Sequence, residues 1–117
     1  MKISTIKELL DAEVLCCEDS LSRHVYSACG CDLMSDVLAY VKDQAVLLTG
    51  LVNPQVIRTA VMMDMVCVVF VRSKTPTEEM LELAKEAGIV IMTSDKRLYE
   101  ACGILYSEGL IGNKVKS

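Results

Sequence analysis

The stretch Ala45-Val46-Leu47-Leu48-Thr49-Gly50-Leu51-Val52-Asn53-Pro54 decides the fold. Val46-Leu47-Leu48 is apolar throughout, without the in/out alternation of a half-exposed strand. It reads as a strand covered on both faces, the pattern of a parallel sheet flanked by helices. Asn53 can then cap a helix and Pro54 suits its first position, where a missing N–H costs nothing. Strand, glycine turn and helix start thus follow one another within ten residues.

Working outward, the same alternation recurs. Val66 to Val71 and Ile89-Val90-Ile91-Met92 are further continuous apolar runs, too short and too rich in Val and Ile for buried helices. After Pro54, Val56, Ile57, Ala60 and Val61 follow helical spacing on one apolar face. Thr75-Pro76-Thr77-Glu78 has capping-box spacing with proline in the first turn, and Gly88 ends the stripe Met80, Leu81, Leu83, Ala84, Ala87. A last helix is expected from about Asp95 to Glu108, with Leu98, Cys102 and Leu105 inward. Upstream, Thr5 to Asp11 reads as a short helix, and Glu13 to Cys17 and His24 to Cys29 as strands. Asp32 to Lys42 reads as a helix with Leu33, Met34, Val37, Leu38 and Val41 on one face, capped by one of Asp32 and Asp36. The fold class that follows is α/β, a three-layer α/β/α sandwich with a mostly parallel sheet and right-handed crossovers. The 117 residues fit a single domain, long enough to bury roughly two thirds of the unfolded surface.

Composition narrows the function. Twelve basic against sixteen acidic residues leave a net charge of −4, and the five aromatics are scattered singly. A nucleic-acid binder needs phosphate-neutralising cations and stacking rings, so no nucleic-acid partner is expected. The N-terminal residues lack a signal-peptide core and the longest strongly apolar run, Met65 to Val71, is far below a membrane span. A cytoplasmic protein with reduced thiols and no membrane contact is therefore expected. Its single histidine, His24, lies in a predicted strand away from the candidate loops, so no catalytic residue is assigned and an enzyme is not expected.

Open parallel sheets bind ligands beyond the carboxyl ends of their strands. Three loops should gather there: Thr49 to Asn53, Arg72 to Thr75, and Thr93 to Lys96. Thr49, Gly50, Asn53, Arg72, Thr93 and Ser94 are the candidate ligand-binding residues, with Arg72, Lys74, Lys96 and Arg97 offering a local positive rim to a nucleotide or other anion. The loop lacks the P-loop and dinucleotide glycine patterns. Cys16-Cys17 and Cys29-x-Cys31 invite a metal or iron–sulfur carrier. However, adjacent strand residues point to opposite faces and the C-x₂-C spacing of structural zinc is absent, so packing is the expected role and no metal or cofactor is assigned.

Asp32-Leu33-Met34-Ser35-Asp36-Val37-Leu38-Ala39-Tyr40-Val41-Lys42 and Leu47 through Ala60, continued by Val69-Phe70-Val71-Arg72 and Ala101 to Tyr106, resemble the DRTGG domain family, in particular its small stand-alone members. The resemblance is strongest over residues 28–110. It implies a parallel-sheet α/β domain related to the N-terminal domain of HPr kinase, without that kinase's P-loop chemistry. It also implies a non-catalytic regulatory or assembly role, a homodimer or another protein partner, and work accessory to a hydrogenase or another metabolic system. A small-ligand sensor at the carboxyl edge is the alternative. The chain departs from the family's name, since Leu51 follows Thr49-Gly50 and Lys42-Asp43-Gln44 holds no Asp-Arg pair. Thr49, Gly50, Asn53 and Pro54 are the positions that match.

Overall fold

The computed structural model describes residues 1–40 and 44–111. Four parallel strands form its centre: β2 (Ser27–Gly30), β3 (Ala45–Thr49), β4 (Cys67–Phe70) and β5 (Val90–Thr93). A fifth strand, β1 (Glu13–Cys16), closes one edge antiparallel to β5, with a bulge between Val14 and Cys16, giving the order β1-β5-β4-β3-β2. Every residue of β3 and β4 is buried. That is why their sequences carry no alternation: both faces meet apolar side chains.

The two faces are covered by different helices. On one, α1 (Ile3–Leu9) and α5 (Leu98–Ser107) pack over Val46, Leu48, Val69 and Met92. On the other, α2 (Met34–Tyr40), α3 (Pro54–Met62) and α4 (Glu78–Ala87) pack over Leu47, Val68, Phe70 and Ile91. Period-two alternation thus survives within each strand, hidden because both sides are apolar. The result is the expected three-layer α/β/α sandwich with a mostly parallel sheet. The three βαβ helices all lie on one face, so β2 to β5 step across the sheet in one direction without a reversal.

Helix ends follow the side chains available. Asn53 Oδ1 accepts from Gln55 N at 2.8 Å with Pro54 first in α3, as the sequence predicts. For α4 the cap sits two residues later than the capping-box spacing suggests. Thr77 Oγ1 accepts from Met80 N at 3.3 Å, so Pro76 precedes the helix and Thr75 plays no part in the cap. Gly88 ends α4 in the left-handed conformation at φ 72°, where a β-carbon would be strained.

Other expectations change. The strand expected from His24 shrinks to Ser27–Gly30, with His24 only bridging Lys2 and stacking on Tyr26 at 6.3 Å between ring centroids. The last helix starts at Leu98, because Arg72 N bonds Lys96 O and holds that segment as a loop. Leu33, Leu38 and Val61, placed on buried faces by spacing alone, are exposed, as is Ala87. Helix periodicity selects a face wider than the part the sheet covers. Val41, Lys42 and Asp43 lie outside the described residues.

Candidate functional site

The carboxyl ends of β2, β3, β4 and β5 lie side by side, so the loops that follow them share one edge. Thr49 is the last residue of β3 and is fully buried. Its hydroxyl donates to Asp32 Oδ1 at 2.8 Å, and the backbone N–H of Gly50 donates to the same oxygen at 2.8 Å. Thr49 Oγ1 also accepts from Leu51 N at 3.2 Å, so one hydroxyl organises the whole turn. Asp32, whose spacing suggests a helix cap, instead ties the segment after β2 to the segment after β3. Sequence reasoning missed it, for the one available signal was an aspartate just past a strand end.

Arg72 completes the cluster. Its guanidinium lies over Gly50 so closely that a β-carbon at position 50 would stand 2.7 Å from Nη2. Gly50 is thus required for close approach, not for an unusual dihedral. Arg72 and Ser73 have φ of 56° and 55°, a left-handed pair that costs non-glycine residues roughly 1–3 kcal/mol each. The turn is held by Arg72 N to Lys96 O and Ser73 N to Ser94 O, both 2.8 Å.

The remaining candidates disperse. Asn53 caps α3 next to the turn. Thr93 Oγ1 donates to the carbonyl of Lys74 at 2.7 Å, joining the loops after β4 and β5. Ser94 is buried and turns to the other side of the sheet, donating to Leu10 O at 2.7 Å and accepting from Lys96 N at 3.3 Å. So Thr49, Gly50 and Arg72 meet, with Asp32 as the fourth member; Thr93 and Ser94 serve the scaffold. The cavities described lie away from this edge, and the largest apolar groove lies between α3 and α4.

The thiols are buried chemistry. Burial is the main cause that pushes Cys29 up to about 11, with Cys31, Cys102 and Asp36 adding to it. Cys16 is pushed to about 11, first by burial and then by Cys17 beside it, and donates to Ile89 O at 3.4 Å. Cys67, wholly enclosed, is raised further by the same cause. Raised values leave little thiolate for nucleophilic or ligand chemistry at neutral pH. Among the described residues no three His, Cys, Asp or Glu side chains are grouped to hold a metal ion.

Fold and edge cluster together define a small α/β/α domain whose distinctive chemistry is an Asp–Thr–Gly–Arg constellation at the carboxyl edge of a parallel sheet. The chain belongs to the DRTGG domain family, whose model matches residues 5–107. The fold is similar to that of the CBS and DRTGG domains of the regulatory region of Clostridium perfringens pyrophosphatase, solved in complex with its activator, diadenosine tetraphosphate. The TM-score is 0.73 at 17% identity, over 89% of this chain and 45% of that one, so this chain spans less than half of that regulatory region. No curated protein matches the chain significantly. Among the described residues no helix is long and apolar enough to cross a membrane.

Proposed function

We propose that this chain, acting as a single domain over residues 1–117, is a non-catalytic regulatory or assembly module that works as a homodimer. Its regulated partner belongs to a hydrogenase or another metabolic system. The observation that carries the reading is the shared fold, over 89% of the chain, with a region that regulates a separate catalytic part. The polar groups at the carboxyl edge support it, since Thr49, Gly50 and Asp32 satisfy one another and leave no nucleophile beside a base. Native mass spectrometry at micromolar concentration tests it. A dimer is expected, and a strict monomer would remove the assembly role.

A second reading, a nucleotide or anion sensor, is favoured by one observation: the Arg72 guanidinium packed on Gly50 at the sheet edge. The relative's activator, diadenosine tetraphosphate, is the first ligand to try. Asp32 weighs against it, because its carboxylate already takes the donors a phosphate would use. Binding predicts about 2.7 kcal/mol of stabilisation at a hundredfold excess over the dissociation constant. The shift should vanish in Arg72→Ala, and no shift across a nucleotide panel sinks this reading.

A further inference from the structure

The apolar side chains left in water are unevenly placed. Of nine exposed large apolar or aromatic residues among the described ones, Leu33, Leu38, Val52, Val61 and Met62 lie on or at the starts of α2 and α3. On the rest of the surface are Tyr26, Tyr99 and Tyr106, whose hydroxyls suit water, and Ile111. Val61 is 51% exposed and Met62 70%, although neighbouring positions of α3 are fully enclosed. An apolar concentration on one layer marks an interaction surface more often than a solvated face.

A groove of about 370 Å³ runs along this layer, lined by Ile57, Arg58 and Val61 of α3 and Leu83, Glu86 and Ala87 of α4. Both helices return from the carboxyl edge, so their C-terminal halves set this groove at the end of the layer away from the Thr49 turn. One rim carries Arg58 and the other Glu86. The only ion pair of Arg58 among the described residues is with Glu79 at 3.7 Å, both side chains being more than half exposed. A pair that long and wet holds its partners weakly.

We infer that the α3–α4 groove is the two-fold interface with a second copy of this chain. The inference rests on the homodimer reading above and names the face that forms it. A two-fold axis along the groove lays α3 of each copy over α4 of the other. Because Arg58 and Glu86 face each other across one groove, that rotation sets Arg58 of each copy opposite Glu86 of its partner, twice. Val61 and Met62 then enter the apolar centre, and the charges close the rim, the usual anatomy of a protein interface. A standard interface covers about 800 Å² per partner, more than a groove alone, so the neighbouring Leu38 completes the footprint. A two-fold contact must be self-complementary, and one base and one acid on opposite rims meet that condition.

Charge exchange tests the face. Arg58→Glu and Glu86→Arg should each raise the dimer dissociation constant about tenfold, by setting like charges opposite each other twice. Mixing these two variants should restore association as a heterodimer, because both cross-pairs are then attractive. Val61→Asp should leave a folded monomer by circular dichroism and sedimentation. A dimer indifferent to all three substitutions overturns this face while the homodimer reading stands. A wild-type monomer at every concentration overturns both.

Discussion

Asp32 and Thr49, seventeen positions apart, are joined by a 2.8 Å hydrogen bond that the Gly50 N–H shares at the same carboxylate oxygen. The acceptor is exposed at the surface, whereas the donor hydroxyl is fully buried. The ends of β2 and β3 are therefore fixed relative to each other by one side chain.

Asp32→Ala strands that buried hydroxyl and is expected to cost about 1–3 kcal/mol. Asp32→Asn keeps an acceptor but loses its charge, so its loss should be roughly half. Thermal melts of the two variants give the ordering, and a wild-type midpoint for the alanine variant would refute the tie.

The position of the α4 cap separates two neighbouring threonines. Thr77→Ala should cost about 1 kcal/mol, because Met80 N loses its acceptor, whereas Thr75→Ala should lie within ~0.5 kcal/mol of wild type. Urea melts decide this, and the reverse ordering would restore the cap at Thr75 that the sequence spacing suggests.

Ser94 joins the end of β5 to the end of α1 through Leu10 O, at a fully buried contact. Ser94→Ala leaves that carbonyl unpaired and should cost about 1–3 kcal/mol. Hydrogen exchange should accelerate selectively in residues 3–10, because the tie holds α1 to the sheet. Uniform acceleration across the chain would argue against a local tie.

Thiol ionisation sets a high-pH limit. Cys16 and Cys29 rise from 9.0 to about 11 on folding, chiefly through burial. Between those values the unfolded chain releases protons that the native state keeps, so the unfolded state binds fewer protons and stability falls as pH rises. The contribution is complete below about pH 9 and declines towards pH 11. Midpoints measured across that window should drop, and Cys29→Ala should flatten the slope. A slope unchanged in Cys29→Ala would mean this thiol does not contribute.

How much was legible in the sequence follows the range of the interactions. Val46 to Thr49 could be read as a doubly covered strand because burial on two faces erases alternation over a few adjacent residues. Asn53 and Pro54 likewise announce α3, since capping is chemistry between near neighbours. Thr49 and Gly50 were legible as a turn, and Arg72 as a strand-end cation. The sequence could not place Thr77 over Thr75, a choice made by where the loop after β4 releases the chain.

By itself, then, the sequence determined the α/β/α layering, the parallel centre and the absence of obvious catalytic pairings, because each is written in local periodicity or in composition. Only the tertiary structure decided that Asp32 serves Thr49 instead of its own helix, that Ser94 faces α1, and that Val61 stands in water beside an open groove. Each of these depends on which strand lies beside which, and on how much of each helix the sheet covers. Sequence spacing carries no measure of either.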